Sequence, residues 1–130
     1  MEEVRQHGLV HVHRRGPTIR KIVDAFYPKV AEHPDLKPIF PDDLTPVADK
    51  QYLFLTQFFG GPPLYTEKYG HPMMRARHMP FPVTPKRAEA WLGCMRRALE
   101  EVIPSQEMRE VILERLSGPA HFFVNTPDDE

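Results

Sequence analysis

Apolar side chains recur at helical spacing along most of this chain, and prolines mark where each run stops. From Thr18 onward Ile19, Ile22, Val23, Phe26, Tyr27 and Val30 fall three or four apart, which predicts an amphipathic helix with Thr18 as its N-cap. Pro28 lies inside that run and is expected to kink it, because its ring opposes the Asp24 carbonyl. Before Thr18 the pattern differs. Val10-His11-Val12-His13 alternates like a short strand and Gly16-Pro17 breaks it, so residues 1–17 read as a loosely docked arm.

Downstream, His33-Pro34 to Pro41 is a proline-punctuated connection. Thr45-Pro46 is an N-cap followed by proline in the first turn, and Val47, Gln51, Leu55 and Phe58 share one face of the helix it starts. Gly60-Gly61-Pro62-Pro63 ends that helix, and residues 62–72 read as a loop. Met73 to His78, closed by Pro80 and Pro82, leaves room for barely two turns. Thr84-Pro85 repeats the start signal, and Ala88, Trp91, Leu92, Met95, Leu99 and Val102 form the cleanest stripe in the chain. After Pro104-Ser105 a last helix carries Met108, Val111, Ile112 and Leu116, with Gly118-Pro119 expected to bend or interrupt it. Four substantial helices and a short one, with no strand pair, predict an all-α fold.

Composition narrows the possibilities. A chain of 130 residues with 41% apolar and 27% charged residues is an ordinary single domain. A formal net charge of −1 gives no general attraction to nucleic acid or anionic membrane. No run of about 18 apolar residues exists to span a bilayer. Met1 to Arg15 has no apolar signal core, and Cys94 is the lone cysteine, so a reducing cytoplasm is the expected location.

The chemistry lies in polar residues on apolar stripes. Tyr27 follows Val23 by four, Gln51 sits between Val47 and Leu55, and Trp91 occupies the middle of its stripe. Tyr27 and Trp91 also read as ordinary packing, each with one backbone partner. Gln51 is harder to explain that way, since an unpaired buried amide costs roughly 1–3 kcal/mol. Three donors on three helices suggest a ligand carrying partial negative charge. His78, in Arg75-Ala76-Arg77-His78, reads either as a surface histidine among arginines or as an axial iron ligand. His11, His13, His33, His71 and His121 are weaker candidates, with His121 expected half-buried and no carboxylate or cysteine completing a tetrahedral metal set. Cys94 reads as a small buried hydrophobe.

Several stretches resemble the group II truncated haemoglobins, closest to the bacterial ones. They are Phe26-Tyr27, His33-Pro34-Asp35-Leu36-Lys37-Pro38-Ile39-Phe40-Pro41, and Phe54-Leu55-Thr56-Gln57 running into Gly60-Gly61-Pro62. Leu64-Tyr65-Thr66, Gly70-His71-Pro72-Met73, Arg75-Ala76-Arg77-His78-Met79-Pro80-Phe81, Ala90-Trp91-Leu92 and Cys94-Met95 extend the match over residues 18–126. The resemblance implies a two-over-two helical sandwich around haem b, preceded by the arm at 1–17 and followed by an acidic tail at 127–130. It implies His78 as the proximal iron ligand and Tyr27, Gln51 and Trp91 as the polar residues on the ligand side. Phe40 matches the aromatic residue on the haem face, and Val47 the gate residue. Lys50, Arg77 and Tyr65 match positions facing the propionates. The family's short first helix and glycine-rich corner are not evident before Thr18, and Pro28 and Pro119 depart from its helices.

The implied function is binding of dioxygen and other small ligands (nitric oxide, carbon monoxide, sulfide) by a cytoplasmic monomer or homodimer, with a reductase as electron donor. No nucleic acid and no membrane partner is expected. The alternatives are a haem enzyme with nitric oxide dioxygenase or peroxidase-like activity, and a cofactor-free helical interaction module.

Overall fold

The run that begins near Thr18 belongs to a helix that starts much earlier: in the computed structural model α1 spans Glu2–Glu32. The structure describes residues 2–128 apart from 72–75, 77 and 80, and the backbone alone for residues 2–15. Where the sequence predicts an irregular arm, a strand-like 10–13 and a cap at Thr18, the backbone is helical, and Thr18 lies within the helix. Gly16-Pro17 does not break it. Proline's fixed φ suits a helix, and Pro17 is exposed. Gly16 is buried where α1 crosses Tyr52, and a Cβ there would stand only 3.2 Å from the Tyr52 hydroxyl.

Pro28 is likewise inside α1 and exposed. It deprives the Asp24 carbonyl of its helical donor, but Asp24 is exposed too, so water can serve that oxygen. The helix continues to Glu32. A 3-10 turn at Lys37–Ile39 follows, and Leu36 just before it is fully buried.

Helix α2 spans Thr45–Phe58. Leu44, rather than Thr45, is its N-cap, and the Thr45 N–H donates to Asp43 Oδ1 at 3.0 Å. The expected end at Gly60 holds, with Gly60 at φ +90°, a conformation that favours glycine. Within the stretch expected to be loop, Leu64–Tyr69 forms the short helix α3. Gln57 stabilises its start: the side-chain oxygen accepts from Thr66 N–H at 3.0 Å and the amide donates to Thr66 Oγ1 at 2.8 Å.

Helix α4 spans Pro85–Val102, and the Thr84 hydroxyl caps it by accepting from Arg87 N–H at 3.1 Å. Helix α5 spans Gln106–Phe122, capped by Ser105 through Met108 N–H at 3.2 Å. It runs through Pro119 without interruption, again because the carbonyl freed belongs to an exposed residue, Arg115.

Helices α1 and α2 pack as one pair and α4 and α5 as another, and α1 lies against α4 to join the pairs. This is the expected all-α two-over-two arrangement, with no strand among the described residues. Val23, Phe26, Val30, Met95, Ala98 and Leu99 fill the α1–α4 contact with essentially no exposure. Ion pairs edge the contacts: Arg20 with Asp49 at 3.0 Å links α1 to α2, and Lys29 with Glu101 links α1 to α4.

His121 is exposed, not half-buried, and joins α5 to α4. Its Nε2 lies 2.7 Å from Glu89 Oε2 and its Nδ1 lies 2.9 Å from the Ser117 carbonyl. A carboxylate and a carbonyl can only accept, so the protonated ring, with both nitrogens donating, satisfies both contacts. The Glu89 hydrogen bond raises its pKa above the ordinary value of 6.5. The pair is intact below that ordinary value and is lost as pH rises through the raised one. An NMR titration is expected to show a raised His121 pKa that falls back in Glu89→Gln.

Candidate functional site

Both helix pairs leave apolar surface that no described side chain covers. A cleft with its mouth open to solvent is lined by Leu36, Ile39 and Phe40 from the connection after α1 and by Gln51 and Phe54 from α2. Ala88 and Trp91 of α4, Leu116, Pro119 and Ala120 of α5, and Phe123 just beyond it also line the cleft, as do His78, Val83 and Arg87. The lining is overwhelmingly hydrocarbon. Its polar members are therefore informative.

Gln51 and Trp91 are half-buried, and neither side chain is hydrogen-bonded to a described residue. No fully enclosed side-chain nitrogen or oxygen among the described residues lacks a partner, so these groups open onto accessible space. Trp91 is held from behind by Phe26, edge to face at 5.0 Å between ring centres. His78 is half-buried, and its imidazole stacks on the Phe123 ring at 4.4 Å with 9° between the planes.

Phe40 also lines the cleft and meets the Tyr27 ring at 6.4 Å. Tyr27 itself is outside the lining: it is buried beside Phe26, whose ring stands 4.8 Å away, and beside Phe40. Burial raises the Tyr27 phenol well above its ordinary value, so it stands as a neutral O–H donor. Its hydroxyl has no hydrogen-bond partner among the described residues.

Of the remaining residues singled out in the sequence, Val47 lies one turn before Gln51, half-buried against the core. Lys50 is exposed next to Gln51, with its ammonium 5.3 Å from the Tyr69 ring centre. Tyr65 is buried and meets Phe54 edge-on at 5.9 Å. None of the three lines the cleft, and Arg77 falls outside the described residues.

Arg87 was not singled out by the pattern of the sequence. Its Nε donates to the Asp35 carbonyl at 2.8 Å and its NH1 to the Pro82 carbonyl at 2.7 Å. One guanidinium thus ties the connection after α1 to the segment leading into α4, at the cleft's edge. Hydrogen bonds from charged donors contribute roughly 1.5–3 kcal/mol. Arg87→Met is expected to lower unfolding stability by about 1–3 kcal/mol in urea melts. Arg87→Lys should recover little, because a single ammonium cannot reproduce the fork.

Comparison with known proteins agrees with this architecture. The family model of bacterial-like globins matches residues 15–125. The chain is 55% identical over 112 residues to the group 2 truncated haemoglobin YjbI of Bacillus subtilis, covering 86% of this chain and 85% of that one. The crystal structure of the group II truncated haemoglobin from Bacillus anthracis superposes with a TM-score of 0.84 at 57% identity, covering 87% of this chain and 92% of that one. The X-ray structure of the truncated oxygen-avid haemoglobin from Bacillus subtilis gives a TM-score of 0.79 at 57% identity over 82% and 91% of the two chains. The chain belongs to the bacterial-like globins, among the group II truncated haemoglobins, a family that binds small gaseous ligands at haem.

Proposed function

We propose that this protein holds haem b through His78 and binds dioxygen, with Gln51, Trp91 and Tyr27 stabilising the ligand. The observation that carries this reading is the apolar cleft in which His78 shares the lining with a carboxamide and an indole that bond to no described residue. The residues fit a planar, largely hydrophobic group: the walls are mostly aliphatic and aromatic, with a few polar groups converging on the same space. A neutral imidazole is a common axial ligand for haem iron. The description of the B. subtilis relative as oxygen-avid suits the same reading.

When bound, ferrous haem supplies an iron that takes up diatomic ligands and shifts electron density onto them. The chain's own residues then decide how long the ligand stays. An N–H or O–H directed at the developing negative charge contributes roughly 0.5–1.5 kcal/mol, up to about tenfold in dissociation rate. Gln51 and Trp91 face the cleft with unspent donors. Tyr27 stays a neutral donor at physiological pH, and its ring meets Phe40, which lines the cleft. The apolar lining keeps the local dielectric low, which strengthens each of these bonds. Several donors in one pocket favour tight retention, which suits storage, scavenging or sensing better than bulk delivery.

Lys50, Arg77 and Tyr65 are proposed to meet the propionates, and Val47, one turn before Gln51, to restrict ligand access. No helix among the described residues is long and apolar enough to cross a membrane. The buried unpaired Cys94 suits a reducing cytoplasm, where a reductase would keep the iron ferrous.

His78→Ala is expected to abolish the haem absorption band of the purified protein; a spectrum identical to that of the unsubstituted protein would reject the ligand assignment. Trp91→Phe removes the indole N–H while keeping an aromatic ring against Phe26. Stopped-flow measurement should show dioxygen leaving several-fold faster, within the tenfold that one hydrogen bond allows.

A further inference from the structure

Pro80 and Pro82 follow His78 closely in the sequence, and a proline has no N–H to give to a backbone bond. Support for His78 comes from another part of the chain.

Asn125, 47 residues away in sequence, supplies it. Its side-chain nitrogen donates to the His78 carbonyl at 3.2 Å and to the Phe81 carbonyl at 3.0 Å. Its side-chain oxygen accepts from Val83 N–H at 3.0 Å and from the Thr126 hydroxyl at 2.7 Å. Both amide protons and both acceptor lone pairs are thus engaged. The backbone adds to this: Asn125 N–H and Thr126 N–H both donate to the Val83 carbonyl, at 2.9 and 3.1 Å. Val83 is itself buried in the cleft lining. One carboxamide therefore grips the segment at residues 78, 81 and 83, and the His78 carbonyl receives a further bond from Phe81 N–H at 2.9 Å.

We infer that Asn125 is a positioning residue for His78, setting the reach and angle of its imidazole and hence the strength of its bond to haem iron. This rests on the reading of His78 as the iron ligand. Asn125 does not line the cleft, so it acts through the His78 backbone and not by contact with haem. The main-chain bonds to Val83 survive side-chain removal, so the C-terminal segment stays attached while the grip on residues 78 and 81 is lost.

The test uses the full-length protein loaded with haemin, as the native chain and as Asn125→Ala and Asn125→Asp. The aspartate keeps the two acceptor bonds but turns a carboxylate toward the His78 and Phe81 carbonyls. Two quantities are read: the rate of haem transfer to excess apomyoglobin, and the iron–histidine stretching band in resonance Raman spectra of the ferrous, ligand-free protein. Both variants are expected to lose haem up to about tenfold faster and to show a lowered or broadened band. An unchanged band overturns the inference even if melting temperature falls, because a merely structural role would affect stability alone. Should neither variant fold, Asn125→Gln, which keeps the carboxamide but displaces it by one methylene, is read in the same way: a shifted or broadened band supports the inference, and a native band overturns it. If the native chain refuses haemin, the haem reading itself falls. If it binds haemin through His78 and the variants match it in both measurements, only the role of Asn125 is lost.

Discussion

Where α1 crosses α4, the Phe26 ring is wedged with no exposure between Tyr27 on its own helix and Trp91 on the other. That contact is a packing constraint before it is anything else. Val23, Val30, Met95 and Ala98 close around it, also without exposure, and the small Ala98 side chain lets the helices approach. Protein interiors of this density do not deform smoothly, so the angle of the crossing is set by how these side chains interlock. Trp91 inherits its orientation from the crossing, and Tyr27 its burial. The polar groups of the site are fixed by hydrocarbon behind them.

The cleft is the space this arrangement leaves over. Two helix pairs joined through α1 and α4 bury their facing stripes, but Phe54, Leu116, Ala120 and Phe123 still turn hydrocarbon toward a volume that no described residue fills. Apolar surface left open to water is unfavourable, in proportion to its area. A flat hydrophobic cofactor relieves that penalty, while the few polar groups in the lining supply direction. Charge is kept to the edge: the Arg87 guanidinium is committed to the Asp35 and Pro82 carbonyls.

His78 is met from far along the chain, by Asn125 through a side-chain bond to its carbonyl and by Phe123 through ring stacking. Both residues follow α5 directly. The continuation of α5 through Pro119 matters for this reason, since an end at Gly118 would leave Phe123 and Asn125 without a rigid base.

Periodicity alone was sufficient for the all-α class, for α2, α4 and α5, and for the buried face of α1, because the spacing of apolar residues on a helix reports directly which side meets the core. Gln51 and Trp91 stood out for the same reason, as polar groups on stripes that burial should have kept apolar. Gly16-Pro17 misled where it was read locally, since α1 runs through it, and Pro119 does not interrupt α5, since a freed carbonyl on an exposed face costs little once packing holds the helix. The six-residue α3 was hidden because its start depends on Gln57, outside its own sequence. Arg87 and Asn125 were invisible for a related cause. Partners of each lie 44 to 52 residues distant, at backbone carbonyls that every residue possesses, so no pattern of side chains marks them. What one helix must bury is written in its own residues; which distant backbone a polar side chain will meet is decided only when the helices have packed.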